Sequence, residues 1–223
     1  MTLLAAYQVL LRHRSGAEDI VVGTDVANRN RVEVENLIGF FINQLVLRTD
    51  LSGNPSFGEL LERVRTVTLG AYAHQDVPFD RLVEALKVER SLQYSPLFQV
   101  KFVYQNAPMP PLELRDLSVQ VMGIESGTTR VDLQLTVWEQ AEGLKGWLEY
   151  NAQLFDESTI SRLSSDFVTL LNTIVAQPDL KLSELDQILN DAEREFQSAR
   201  ARDFQETRLQ KFKTIRRKAT GVV

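Results

Sequence analysis

The chain contains no cysteine. That excludes disulfides, thiolate metal ligands and a cysteine nucleophile. Histidine is nearly absent too: His13 and His74 are the two there are. Two isolated histidines give no transition-metal spacing, and the acidic residues follow no calcium-loop pattern. A glycine-rich phosphate loop is missing, since Gly123 and Gly127 precede no suitable helix. No apolar run approaches the roughly 20 residues that span a bilayer. The opening Met1-Thr-Leu-Leu-Ala-Ala6 lacks a basic flank and does not read as a secretory signal. Basic residues are in the minority, with Lys+Arg 25 against Asp+Glu 30 and a formal charge of −5, so a general nucleic-acid binder is disfavoured. These absences together predict a cytoplasmic protein with no metal, no membrane and no nucleic acid among its partners.

What is present suits a globular domain. Hydrophobic residues make up 43% of the chain and charged residues 25%, enough apolar material for a real core. Leu3, Leu4, Tyr7, Leu10 and Leu11 recur at helical spacing over residues 1–13. Asp19–Asp25 and Gln44–Thr49 read as strands. Phe57, Leu60, Leu61, Val64, Val67 and Ala71 mark a helix over 56–73, opened by a capping box of Ser56 and Glu59. Pro78 suits a first helical position, and Phe79, Leu82, Val83 and Leu86 continue that helix.

Phe98–Tyr104 alternates as a strand, and Pro108–Pro111 breaks the chain into a loop. Strands are expected at 117–123, 130–140 and 144–151. The last two flank Gln140-Ala-Glu-Gly143, a hairpin spacing with glycine free to take a positive φ. Asp156 is placed to cap a final helix carrying Ile160, Leu163, Phe167, Leu170, Leu171 and Ile174. Alternating strands and helices predict an α/β lobe, with helices packed on a mixed sheet. Residues 1–187 read as that lobe. Residues 188–223 are charge-rich with a sparse apolar stripe and a basic stretch at Arg208–Lys218, and read as a helical linker or tail.

Four phrases stand out in order: Gly23-Thr-Asp-Val-Ala-Asn-Arg-Asn30, Ile38-Gly-Phe-Phe-Ile-Asn-Gln-Leu-Val-Leu-Arg48, His74-Gln-Asp-Val-Pro-Phe-Asp80 and Ser95-Pro-Leu-Phe-Gln99. On their residues alone each has a plain reading. Asn28 and Arg29 form a turn in which asparagine tolerates unusual φ and arginine is solvated. Gly39 turns the chain sharply. Asn43 and Arg48, polar within an apolar run, are either satisfied inside the fold or face a cavity. His74 beside Asp76 could be an acid–base pair; as helix-end residues, His74 closes one helix and Asp76 caps the next. Pro96 sets up an edge strand.

Taken together the phrases resemble the second half of a condensation domain from a nonribosomal peptide synthetase. The resemblance implies a single chloramphenicol-acetyltransferase-like lobe. Two such lobes enclose a tunnel in which a donor acyl group is joined to an amino acceptor, both carried as thioesters on phosphopantetheine arms of carrier proteins. It implies Asn28, Arg29, Asn43, Phe98 and Gln99 as tunnel or floor-loop residues. Gly39, Arg48, His74, Asp76, Pro78, Phe79 and Pro96 become architectural. Asp25 and Gln44 depart from the family, which commonly has proline and threonine there.

The family's His-His-x-x-x-Asp-Gly signature belongs to the other lobe and occurs nowhere in this chain. No catalytic residue is therefore assigned, and the chain is expected to be inactive alone. Its expected partners are a peptidyl or aminoacyl carrier protein, an N-terminal lobe supplied separately or covalently, and a following domain. No cofactor is expected to bind directly. The alternative is a non-catalytic module that docks a carrier protein for a neighbouring enzyme. A coenzyme A acyltransferase would need the same absent histidines.

Overall fold

The structure, a computed structural model, describes residues 1–88, 94–106, 117, 127–141 and 143–198. Its elements run α1 (Thr2–Ser15), β1 (Asp19–Val26), α2 (Val32–Glu35), β2 (Asn43–Asp50), α3 (Phe57–Ala73), α4 (Phe79–Ala85), β3 (Val100–Gln105), β4 (Leu133–Gln140), β5 (Gly143–Tyr150) and α5 (Glu157–Ala176). Residues 182–198 are also helical. The expected loop at Pro108–Pro111, most of the expected strand at 117–123 and the basic stretch at Arg208–Lys218 lie outside the described residues.

The five strands form one mixed sheet in the order β2-β1-β3-β4-β5. β1 and β2 are antiparallel, as are β4 and β5, while β3 runs parallel to both β1 and β4. Each strand alternates inward and outward side chains. Ile20, Val22, Leu47, Phe102, Leu133, Leu135 and Val137 thus point to one face, where α1, α3 and α5 bury it. α1 lies at the centre of that layer, with Leu4, Ala5, Ala6 and Val9 nearly inaccessible. A fold with helices over one mixed sheet is what the alternating pattern predicts.

The other face carries Gly23. A Cβ there would stand 2.3 Å from the Phe98 ring, so only glycine lets β1 approach that ring. Phe98 is buried, and its ring meets Phe79 edge-on at 5.7 Å. It precedes β3, which starts two residues later than the alternation suggested.

Local signals set the element ends. Ser56 Oγ accepts from the Glu59 N–H, and Glu59 Oε2 accepts from the Ser56 N–H at 2.7 Å, completing the capping box. Gly143 takes φ 127 at the β4–β5 hairpin. Two helix starts differ from expectation. Pro78 occupies the cap position with an extended ψ of 141, outside the helix proper. Asp156 stands at the cap of α5, but its side chain makes no capping hydrogen bond.

Packing continues past the expected boundary after residue 187. That boundary falls inside the 182–198 helix, whose Leu182, Leu185 and Leu189 are fully buried in the core. Ion pairs fasten the same helix to the end of α1 and to α5. Arg12 Nη1 meets Asp186 at 2.6 Å and His13 Nδ1 meets it at 3.0 Å. Arg14 and Arg162 both pair with Glu193 and with the buried Asp166. The Arg162 guanidinium also lies over the Phe196 ring, 4.9 Å from its centroid.

Candidate functional site

Open α/β sheets place their ligand crevices at the carboxyl ends of parallel strands. β1, β3 and β4 are mutually parallel, and a basin of about 900 Å³ lies at their carboxyl ends. Thr24, Tyr104 and Glu139 reach it from those three strands, Leu3 from α1, and Tyr72 and Gln75 from the end of α3 and the turn after it. Neither histidine lines it. His13 is paired with Asp186. His74 closes α3 as its C-cap, its N–H donating to the carbonyls of Ala71 and Tyr72. The basin thus offers hydroxyl, amide and carboxylate groups for binding and orientation, with no imidazole among its lining residues.

Asp25, at the end of β1, also borders the basin. Its Oδ2 accepts from Lys101 Nζ at 2.7 Å and its Oδ1 from Gln44 Nε2 at 3.4 Å. Lys101 is buried, and a buried cation needs such a partner. The two family departures, Asp25 and Gln44, are therefore joined in space.

None of the five tunnel or floor-loop candidates lines this basin; Asn28, Arg29 and Asn43 lie just beyond the carboxyl end of β1 or opposite it, while Phe98 and Gln99 precede the amino end of β3. Asn28 turns the chain just after β1 with φ 51, a left-handed conformation that asparagine tolerates. Arg29 is not the solvated side chain of a plain turn. Its Nη1 donates to the carbonyls of Val34, Glu35 and Leu37 at 2.5, 3.3 and 2.8 Å, and its Nη2 to that of Gly39 at 3.3 Å. The guanidinium carbon lies 4.3 Å from the Phe41 ring centroid, a cation–π contact. Gly39 bends the chain without entering the left-handed region; a Cβ there would meet the Phe41 ring at 3.0 Å. With its carbonyls gathered inward, the loop turns Val32, Leu37, Ile38, Phe40 and Ile42 out to solvent, Ile38 completely.

Asn43 holds the α3–α4 turn. Its Nδ2 donates to the carbonyls of Gln75 and Val77, both at 2.7 Å, and its Oδ1 accepts from the Phe79 N–H at 3.1 Å. This corrects the expected role of Asp76: no side chain of α4's own flank caps it, and the first N–H of α4 is satisfied from β2. Asn43 also fixes Gln75, which lines the basin.

Arg48 stands on the exposed face, where its Nε and Nη2 bind the Asp19 carboxylate at 2.6 to 3.0 Å. That contact holds the Asp19 carboxyl below the usual range. Gln99 Nε2 donates to the Ser95 carbonyl at 3.0 Å and borders a smaller hollow with Thr129 and Asp132. Pro96 closes a three-residue turn, its carbonyl accepting from the Phe98 N–H at 2.9 Å while Leu97 sits at φ 70.

The sequence reading missed Tyr72, Gln75, Lys101, Tyr104 and Glu139. Lys101 carried a signal, a cation inside the apolar run Val100–Val103. Tyr104 and Glu139 carried none, because strand ends become neighbours only when the sheet forms, and Tyr72 and Gln75 meet them only when the end of α3 packs beside those strands.

Residues 1–197 match the family described as Condensation domain. The chain belongs to the condensation-domain family. This condensation-family chain is 49% identical over 162 residues to "Malpinin synthetase" of Mortierella alpina, covering 73% of this chain and 2% of that protein. It is 37% identical over 195 residues to "Tyrocidine synthase 3" of Brevibacillus parabrevis, covering 87% of this chain and 3% of that protein. Among solved structures it resembles "Complex of the X-domain and OxyB from Teicoplanin Biosynthesis" at 31% identity and a TM-score of 0.71, covering 82% of this chain and 41% of that one. It also shares the fold of "holo-AB3403 a four domain nonribosomal peptide synthetase bound to AMP and Glycine" at a TM-score of 0.75 and 23% identity, covering 15% of that chain. The lobe therefore spans a small part of its curated relatives and less than half of the X-domain chain. Among the described residues no helix is long and apolar enough to cross a membrane, and no cluster of metal-ligating side chains occurs.

Proposed function

We propose that this chain is one lobe of a peptide-synthetase condensation domain and supplies half the wall of its tunnel. In that tunnel a carrier-bound acyl or peptidyl thioester is attacked by the amine of a carrier-bound acceptor. The observation that carries the reading is the basin at the carboxyl ends of β1, β3 and β4, lined by binding groups and by neither histidine. Aminolysis of a thioester gains its rate mainly by holding amine and carbonyl together. The basin could hold one side of that arrangement. The proton-handling histidines would come from a second lobe, since the chain has no His-His-x-x-x-Asp-Gly sequence.

The chain is inert on its own under this reading. Asn28, Arg29 and Asn43 act on the tunnel by shaping its rim and floor. Phe98 and Gln99 act by seating β3. The phosphopantetheine arms of peptidyl or aminoacyl carrier proteins deliver both substrates, so the lobe itself holds no cofactor.

The test mixes this chain with a separately produced first lobe from a related synthetase, a donor-loaded carrier and an acceptor-loaded carrier. Amide product is read by mass spectrometry. Product from the two lobes together, and from neither alone, is expected. Product from this chain alone would refute its inertness, and none from the pair would refute the tunnel assignment.

A second reading, a non-catalytic docking module, is favoured by the loop that Arg29 folds. Its apolar side chains point to solvent, and solved X-domain chains include one in complex with OxyB. Titration of a labelled holo-carrier with this chain separates the two. Localised shifts around the phosphopantetheine serine without any first lobe present favour docking.

A further inference from the structure

β5 forms one border of the sheet, and among the described residues no strand pairs with its outer side. An uncovered border strand is a template for another strand, and proteins commonly blunt it with proline, a bulge or a short length. β5 runs eight residues, Gly143–Tyr150, with no proline, and its register with β4 continues without a bulge. Its first five residues are exposed.

The register fixes which backbone groups of β5 stay free. The Asn151 N–H donates to the Asp132 carbonyl, one step beyond the β4–β5 ladder and in the same register. In an antiparallel pair every second residue turns both its N–H and its C=O to the neighbour. Glu149, Trp147 and Lys145 therefore bond β4, while Leu144, Gly146, Leu148 and Tyr150 turn their groups outward. Side chains alternate as well. Leu148 and Tyr150 pack on the core, which puts Lys145, Trp147 and Glu149 together on the other face. Trp147 is 56% exposed, and its ring lies 4.7 Å from that of Trp138. The side chains of Lys145 and Glu149 make no ion pair among the described residues. Four strand positions, about 13 Å, hold them apart within one chain.

We propose that β5 pairs with β5 of a second copy of this chain, antiparallel about a two-fold axis at Trp147. Across that axis Leu144 stands opposite Tyr150 and Gly146 opposite Leu148, each through its outward N–H and C=O. Lys145 stands opposite Glu149 on both sides of the axis, and the two Trp147 rings meet between these charge pairs. The interface is isologous and closes on a dimer. An axis at Lys145 or at Glu149 would set like charges against each other. One at Gly146 or Leu148 would leave both charges without a partner. The charges thus select one register. The proposal makes no use of the basin or of the tunnel reading.

The test is sedimentation equilibrium of the full chain and three variants. The wild type is expected to dimerise with a dissociation constant of about 100 µM or lower. Lys145→Glu sets carboxylate against carboxylate on both sides of the axis, and Glu149→Lys sets ammonium against ammonium. Each is expected to weaken the dimer at least about tenfold, because like charges directly opposite across strands destabilise the pairing. Mixing these two variants restores both charge pairs in a heterodimer, so the mixture should recover the wild-type affinity. The double variant Lys145→Glu/Glu149→Lys should recover it with itself. Such recovery rules out misfolding as the cause of the single losses. Amide exchange gives a second readout: the Gly146 and Leu148 N–H groups should slow as the wild-type chain is concentrated. A wild type that stays monomeric at millimolar concentration, single variants that dimerise as before, a mixture that stays weak, or Gly146 and Leu148 amides indifferent to concentration would overturn the proposal. So would a β5 that ignores its own copy and binds an added first lobe instead.

Discussion

The 27–42 loop and the turn between α3 and α4 are each organised by one polar side chain that reaches for backbone carbonyls. Arg29 works at short range, gathering carbonyls five to ten residues further along. Asn43 works at long range, bridging 32 to 36 residues. The results differ. Around Arg29 the backbone faces inward and apolar side chains face water. Around Asn43 the chain closes into a helix start, with Val83 of that helix buried. A guanidinium has donors only, so it can collect carbonyls and leave the side chains free. An amide has donors and an acceptor, so it can close one segment and open the next.

Asn43→Ala should have the largest effect. It removes three hydrogen bonds at a partly buried turn, so about 3 kcal/mol of stability is expected to be lost, at about 1 kcal/mol each. Chemical denaturation would measure it. Asn43→Asp sharpens the point: it keeps the acceptor for Phe79 and sets a carboxylate against two carbonyls. A loss no smaller than that of the alanine variant is expected.

Arg29→Lys comes next. Lysine keeps the charge but lacks the planar fork and the stacking face. Global stability should fall by about 1 kcal/mol or less, while amides of residues 32–41 exchange about tenfold faster by local opening. Equal exchange in the two proteins would mean that the loop needs no clamp. Ser56→Ala should cost about 1 kcal/mol, the usual worth of an N-cap.

The smallest effect is a pH dependence. Hydrogen bonds from Ser56 hold the Glu59 carboxyl below the ordinary glutamate range. Its contribution is therefore present above that range and fades as the pH falls through the lowered value. Glu59→Gln should flatten the acid limb of the stability profile slightly, and an unchanged limb would place the dependence elsewhere, with Asp19 and Asp50, whose carboxyls are also lowered.

Much of the fold could be read from the residues because its signals are local. The α3 face, the Ser56–Glu59 box and the Gly143 hairpin each sit within a few positions of what they control. The candidate site was legible only in outline. Asp76 was the expected cap of α4 because it is adjacent, yet Asn43 does the work from another strand. Arg29 was recognisable as a marked residue, but whether it met water or carbonyls depended on a loop path that no short-range rule specifies. Phe98 is buried against the opposite face of the sheet because Gly23 leaves space on a strand far away in sequence.

The ion pairs at the end of α1 have a practical consequence for anyone joining this lobe to another protein. A junction placed after residue 187, where the composition changes, would discard Leu189 from the core and remove Glu193. Arg14 and Arg162 would then share Asp166 alone, and the exchanged piece would carry an unbalanced positive charge at the junction. A junction beyond Phe196 keeps that charge balance within the transplanted unit, so compatibility between donor and host would depend on the new contacts alone.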